Sequence, residues 1–120
     1  MQYLLLIYTN EADDAARSPE ESAGIFQAYG TFTKGIAESG TYVGGNALHP
    51  TSTATSVRVQ NGKTLTTDGP FAETREALGG YYLVEAADLD EAISIAARIP
   101  AATHGTVEVR PVMNFEDSIA

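Results

Sequence analysis

The segment Gln2–Thr9 constrains this chain more than any other. It reads Gln-Tyr-Leu-Leu-Leu-Ile-Tyr-Thr and is followed at once by the polar stretch Asn10–Arg17, so it is too short for a helix. In a strand, successive side chains leave on opposite faces. Tyr3, Leu5 and Ile7 then point one way and Leu4, Leu6 and Tyr8 the other. Both sets are apolar, and a strand apolar on both faces must be covered on both. One layer of helices supplies only one cover. The segment has no basic flank and no small-residue cleavage site, so it does not read as a secretory leader. No apolar run in the chain approaches the roughly 20 residues of a membrane-spanning helix.

The rest of the chain supplies that one layer. Ser18-Pro19-Glu20-Glu21 is a helix start: Ser as N-cap, Pro at the first helical position, Glu three residues after the cap. Ile25, Tyr29, Phe32 and Ile36 follow at helical spacing with Phe26 beside them, and Gly40 offers a left-handed stop. Gly24, Gly30 and Gly35 weaken the helix and invite close approach to a sheet. Thr41–His49 is extended, with a bend or bulge expected at Val43-Gly44-Gly45. Thr55–Gln60 and Lys63–Thr67 flank Asn61-Gly62, the strongest hairpin signal in the chain. Asp68-Gly69-Pro70-Phe71 is a turn, and Ala72–Leu78 a connection with room for one helical turn.

Gly80–Ala86 is the next strand. Asp88, with Glu91 three residues on, caps a second helix whose apolar face is Ala92, Ile95, Ala96 and Ile99 and which Pro100 ends. A last strand runs over Thr106–Val112, with Val107 and Val109 facing inward, and Phe115–Ala120 is a tail. The order is that of a split βαβ, ferredoxin-like α+β fold with an enlarged middle. It places two helices on one face of an antiparallel sheet within a single domain spanning residues 1–120. The bare second face predicts an isologous homodimer, sheet against sheet.

Composition removes several function classes. Net charge is −9 and the seven Lys and Arg are scattered, so a phosphate backbone is repelled and neither nucleic acid nor membrane is expected as a partner. There is no cysteine, hence no disulfide, thiolate nucleophile or cysteine zinc site. That fits a reducing, cytoplasmic setting. No phosphate-binding loop, dinucleotide loop or nucleophile elbow is present, and His49 and His104 stand apart without ligand spacing, so no cofactor and no metal are expected.

Thr67-Asp68-Gly69-Pro70-Phe71-Ala72-Glu73-Thr74-Arg75-Glu76, followed by Leu78-Gly79-Gly80-Tyr81-Tyr82-Leu83, resembles the diagnostic segment of the DGPF group of YCII-related proteins. Met1–Tyr8 is similar to the family's opening M-x-Y-x-x-L-I-Y strand, and Leu48-His49-Pro50 to its L-x-P ending. Asp88–Pro100 with Val107-Glu108-Val109-Arg110-Pro111 is similar to its closing helix and strand. The resemblance covers nearly the whole chain. It implies a ferredoxin-like fold paired into a dimeric α+β barrel, as in muconolactone isomerases, and implies little about activity. Some YCII relatives carry a histidine on the first helix, paired with an aspartate; here that helix has none. Some DGPF relatives are encoded beside extracytoplasmic-function sigma factors, which admits a regulatory partner.

Five residues are candidates for chemistry. Asp68, opening a Gly-Pro turn after a strand, could act as a base; the alternative is a cap on its own turn. His49, at a strand end before Pro50, is a second acid/base candidate. Arg75, between Glu73 and Glu76, could clamp a carboxylate or sit in a solvated ion pair. Arg58 lies between Val57 and Val59, and Arg110 follows Val109, both on strands, so inside a barrel each must be paired, with Glu108 the natural partner of Arg110. Tyr81 and Tyr82 point to opposite faces, one to the helices and one to the barrel interior, and Tyr82 is the ligand-binding candidate. Three readings follow: a dimer binding a small organic molecule, with proton transfer or isomerisation within reach; a non-enzymatic accessory or regulatory protein; or a purely structural dimer module that works fused to other domains.

Overall fold

The computed structural model describes residues 1–115. Its elements are β1 (Gln2–Thr9), α1 (Glu11–Ala16), α2 (Pro19–Glu38), β2 (Tyr42–Ala47), β3 (Thr55–Gln60), β4 (Lys63–Asp68), β5 (Ala77–Glu85), α3 (Leu89–Ala97) and β6 (Thr106–Pro111). Short 3-10 turns follow β2 at Thr51–Thr53 and α3 at Pro100–Thr103. Four strands form one sheet in the order β2-β5-β1-β6, every neighbouring pair antiparallel. This is the ferredoxin-like order with α2 and α3 on one face.

Local chemistry sets the long helix. The Ser18 hydroxyl accepts the Glu21 N–H at 3.1 Å and the Glu21 carboxylate accepts the Ser18 N–H at 3.5 Å, a reciprocal capping box. At the other end Gly40 takes φ +77°, and Thr41 N–H reaches back to the Ile36 carbonyl at 2.9 Å. That is a Schellman close, which glycine enters without a Cβ penalty. Asp88 caps α3 by accepting the Glu91 N–H at 2.9 Å.

The core lies between the helices and one face of the sheet. Tyr3, Leu5 and Ile7 of β1 and Val84 of β5 meet Phe32 and Ile36 of α2 and Ala92, Ile95 and Ala96 of α3, with Ile99 beyond it. Val107 and Val109 pack at its edge, facing inward. Gly105 is needed where the chain enters β6, because a β-carbon there would collide with the Tyr8 carbonyl oxygen.

The structure departs from the sequence expectations at four places. Asn10–Arg17 contains a helix, α1, started by the Asn10 side chain accepting the Asp13 N–H at 3.0 Å and favoured by acidic residues in its first turn. Its six residues are too few to show an apolar period. Ala72–Leu78 has no helical turn; its last two residues already belong to β5. Gly24 and Gly30 approach nothing, and Gly35 nears only the Arg98 side chain. Pro100 opens a 3-10 turn after α3 has closed at Ala97. Of the expected tail, Phe115 is exposed and 116–120 lie outside the described residues.

The predicted bulge is present, as a register shift between Tyr42 and Gly44. The predicted hairpin is present too, with Asn61 at φ +50° and Gly62 at +75°, the positive angles that a two-residue hairpin turn requires. What the sequence did not reveal is that β3 and β4 form a sheet of their own. They stand out as an arm, and the radius of gyration is 16.7 Å. A compact chain of this length would have about 14 Å.

Candidate functional site

The register assigns the second face of the sheet. Leu4 lies between Leu83 of β5 and Arg110 of β6, Leu6 between Tyr81 and Glu108, and Tyr8 between Leu78 and Thr106. Directly opposed residues of antiparallel strands share a face. The open face therefore has an apolar stripe along β1 and β5 and a polar margin on β6. No described helix covers it, and Leu4, Leu6 and Tyr8 are half-buried only by their neighbours in the sheet. On the margin the Arg110 guanidinium donates from Nε to Glu108 at 2.9 Å, so each neutralises the other. Across the stripe, the Asn46 amide donates to the Tyr81 phenol oxygen at 2.8 Å. The phenol hydrogen is left to donate elsewhere.

A second polar cluster sits where β1 ends. The Thr9 hydroxyl donates to Asp14 at 2.6 Å, and Arg17 pairs with the same carboxylate at 2.6 Å. Glu11 receives both the hydroxyl of Thr51 and its N–H, the latter at 2.9 Å, tying α1 to the turn after β2. The Thr51 hydroxyl first, and its N–H second, hold the Glu11 carboxyl below the usual carboxylate range. Tyr29 of α2 is pushed the other way: burial raises its phenol, and the Tyr82 phenol nearby adds to the rise, so it stays neutral. The Glu76 carboxylate accepts the Thr106 hydroxyl at 2.7 Å at this same end. These carboxylates are engaged, which suits holding the loops in place more than proton transfer.

Comparison with known proteins agrees with this architecture. The model of the YCII-related domain matches residues 1–116. The chain belongs to the YCII-related family. An uncharacterized protein of Rhizobium meliloti (strain 1021) is 37% identical over 118 residues, covering 97% of this chain and 95% of the relative.

Within this YCII-related domain the five sequence candidates fall in three places. His49 and Arg75 are exposed in the connections at one end of the sheet. There Leu48 N–H is bound to the Gly79 carbonyl at 2.9 Å, which pins the exit from β2 to the start of β5. Asp68 closes β4 opposite Thr55, exposed at the root of the arm. Among the described residues no hydrogen bond or ion pair ends on the carboxylate of Asp68 or the guanidinium of Arg75. Gly69, at φ +93°, makes the turn instead, through its N–H to the Ala54 carbonyl at 2.7 Å. Arg58 is out on the arm opposite Leu65. Tyr82 turns into the helix layer, its hydroxyl 2.7 Å from that of Thr33 and its ring edge-on to Phe32.

The phenol on the open face is thus Tyr81. Its parity could be read from the sequence; which parity faced the helices could not. The Glu11–Thr51 and Thr9–Asp14–Arg17 links were missed because each starts from a helix that shows no period, one reaching the turn at Thr51 and the other the end of β1. Asn10 before three acidic residues was the available signal for α1.

Proposed function

We propose that this YCII-related protein works as a cytoplasmic homodimer that binds a small organic molecule between two facing sheets. The observation that carries the reading is the open face itself: the apolar stripe Leu4, Leu6, Leu83 with the Tyr81 phenol and the Glu108–Arg110 pair at its margin. Burying such a stripe is worth about 25 cal/mol per Å² of apolar surface, and a second copy offers the same stripe. The resulting interior has phenol donors and a paired cation, a lining suited to a small carbonyl or carboxylate compound. His49 and Arg75 lie in the connections at one end of the sheet and Asp68 at the root of the arm; as a base, an acid and an anion clamp they would serve proton transfer or isomerisation. Arg58, out on the arm, is a further ligand-binding candidate from sequence; Tyr82, turned into the helix layer against Thr33, does not line this face.

The test is light scattering with size exclusion at micromolar concentration, then calorimetric titration with small aliphatic and aromatic carboxylic acids. A dimer that binds at least one of them, more weakly by tenfold or more in Tyr81→Phe, is expected. A stable monomer overturns the reading. If Asp68→Asn changes the turnover of no bound compound, the isomerisation part is lost and binding stands.

A second reading, an accessory protein for a partner such as a sigma factor, is favoured by one feature. A groove of about 730 Å³ runs between α2 and the turn after α3, lined by Ile25, Phe32, Arg98 and His104 among others. Phe26 on the same helix is 82% exposed. Ile25→Glu would weaken that partner's binding and leave the dimer intact.

A further inference from the structure

Asn46 reaches the open face because β2 is bulged. Tyr42, opposite Val84, turns to the helix side, where its ring is edge-on to Tyr82. In a regular strand Asn46, four residues further on, would point the same way. The register shift between Tyr42 and Gly44 reverses the alternation, so Gly44 stands opposite Leu83 and Asn46 opposite Tyr81. Gly45 then lets β2 lie tight on β5, since a β-carbon there would come within 2.8 Å of the Tyr81 carbonyl oxygen. Register and close approach together set the Asn46 amide nitrogen 2.8 Å from the Tyr81 phenol oxygen.

That contact decides what the phenol can do. A phenol has one hydrogen to give and an oxygen that accepts. The Asn46 N–H occupies the oxygen, so the hydrogen turns away from Asn46. Among the described residues no group accepts it. The sheet beside the pair is bare: Gly44, on the same face of β2, has nothing within 4 Å of where a β-carbon would stand. Leu83 and Leu6 give this patch an apolar floor.

We propose that Asn46 is a positioning residue for Tyr81, holding its phenol as a hydrogen-bond donor so that the open face selects ligands by an accepting oxygen, that of a ketone or a carboxylate. This rests on the small-molecule reading above. A ligand hydroxyl that would donate to the phenol oxygen has to displace the Asn46 amide first. Asparagine is the right residue for the task because its amide nitrogen can only donate to that oxygen. Aspartate in its place would accept the phenol hydrogen and free the oxygen, which inverts the preference.

The test is calorimetric titration of the full-length protein with acetophenone and 1-phenylethanol, a ketone and its alcohol with the same carbon skeleton and no charge. Asn46→Asp is expected to weaken acetophenone about tenfold, the worth of one hydrogen bond, and to leave 1-phenylethanol unweakened. In a Tyr81→Phe background the same substitution is expected to change neither. Asn46 is exposed on an edge strand, so circular dichroism and the elution volume should be those of the wild type. A merely structural Asn46 would weaken both compounds alike and would do so with or without the Tyr81 hydroxyl; either result overturns the positioning role and leaves the small-molecule reading standing. A wild type that binds carboxylic acids and neither of these two compounds overturns the positioning role as well. A wild type that binds none of them overturns both.

Discussion

Tyr3, Leu5 and Ile7 leave β1 on one side and Leu4, Leu6 and Tyr8 on the other, and the two trios meet different surroundings. The first is buried under α2 and α3, Leu5 completely. The second is half-buried in a face that no described helix covers. Hydrophobicity is nearly the same in the two sets, so it does not decide burial. What decides it is which elements the chain has left to place, and on which side two crossovers carry them. Residues of the first trio stabilise the subunit; residues of the second stabilise whatever assembly covers them.

The largest expected effect sets one trio against the other. Leu5→Ala should cost about 2–5 kcal/mol, as buried leucines do, and the loss should be the same at every protein concentration in urea denaturation. Leu6→Ala should cost under about 1 kcal/mol in a dilute subunit, with a loss that grows as protein concentration rises. Equal, concentration-independent losses would erase the distinction between the faces.

Gly105→Ala comes next. The added β-carbon meets the Tyr8 carbonyl, backbone that cannot step aside cheaply, so about 1–3 kcal/mol of overpacking cost is expected. Gly44→Ala, on the open side of β2 with nothing near its β-carbon, should cost far less in the same thermal melts.

Two hydrogen bonds to phenols sharpen the contrast further. Thr33→Val removes the partner of Tyr82 on the packed side and should cost about 1 kcal/mol. Asn46→Ala removes the partner of Tyr81 on the open side. Water can replace that bond, so chemical denaturation should register almost nothing.

The smallest effect is a pH dependence. Burial raises the Tyr29 phenol above its ordinary value in the folded state. The folded protein therefore holds that proton more tightly than the unfolded chain. The stability linked to it is whole below the ordinary tyrosine pKa of about 10 and is lost as pH rises through the folded value. Urea midpoints taken at pH 8 and again above pH 10 should fall less in Tyr29→Phe than in the wild type. A fall of the same size in both would show that Tyr29 is not the group responsible.

Local signals were legible because their physics is local. Ser18 with Glu21, Asp88 with Glu91, and Asn61-Gly62 act within four residues, and each was found where the sequence placed it. Helix α1 was not, since six residues give no apolar period to read. The apolar row Ile25, Tyr29, Phe32 and Ile36 was correct in spacing. Yet only Phe32 and Ile36 are fully buried; Tyr29 is half-buried against the core and Ile25 lines the groove beside the turn after α3. The candidate site was legible as residue types and not as an arrangement: Asp68, His49, Arg75, Arg58 and Tyr82 are divided among loops, arm and helix layer.

Alternation along β1, the caps and the hairpin turn determined the ferredoxin-like order, because each depends on neighbours a few residues away. The same alternation could not say which trio would face the helices, or that β3 and β4 would leave the sheet as an arm. Those outcomes belong to contacts between segments far apart in the chain: Leu5 against α2 and α3, and Tyr82 rather than Tyr81 against Thr33. A strand greasy on both sides fits either way up until distant helices choose a side.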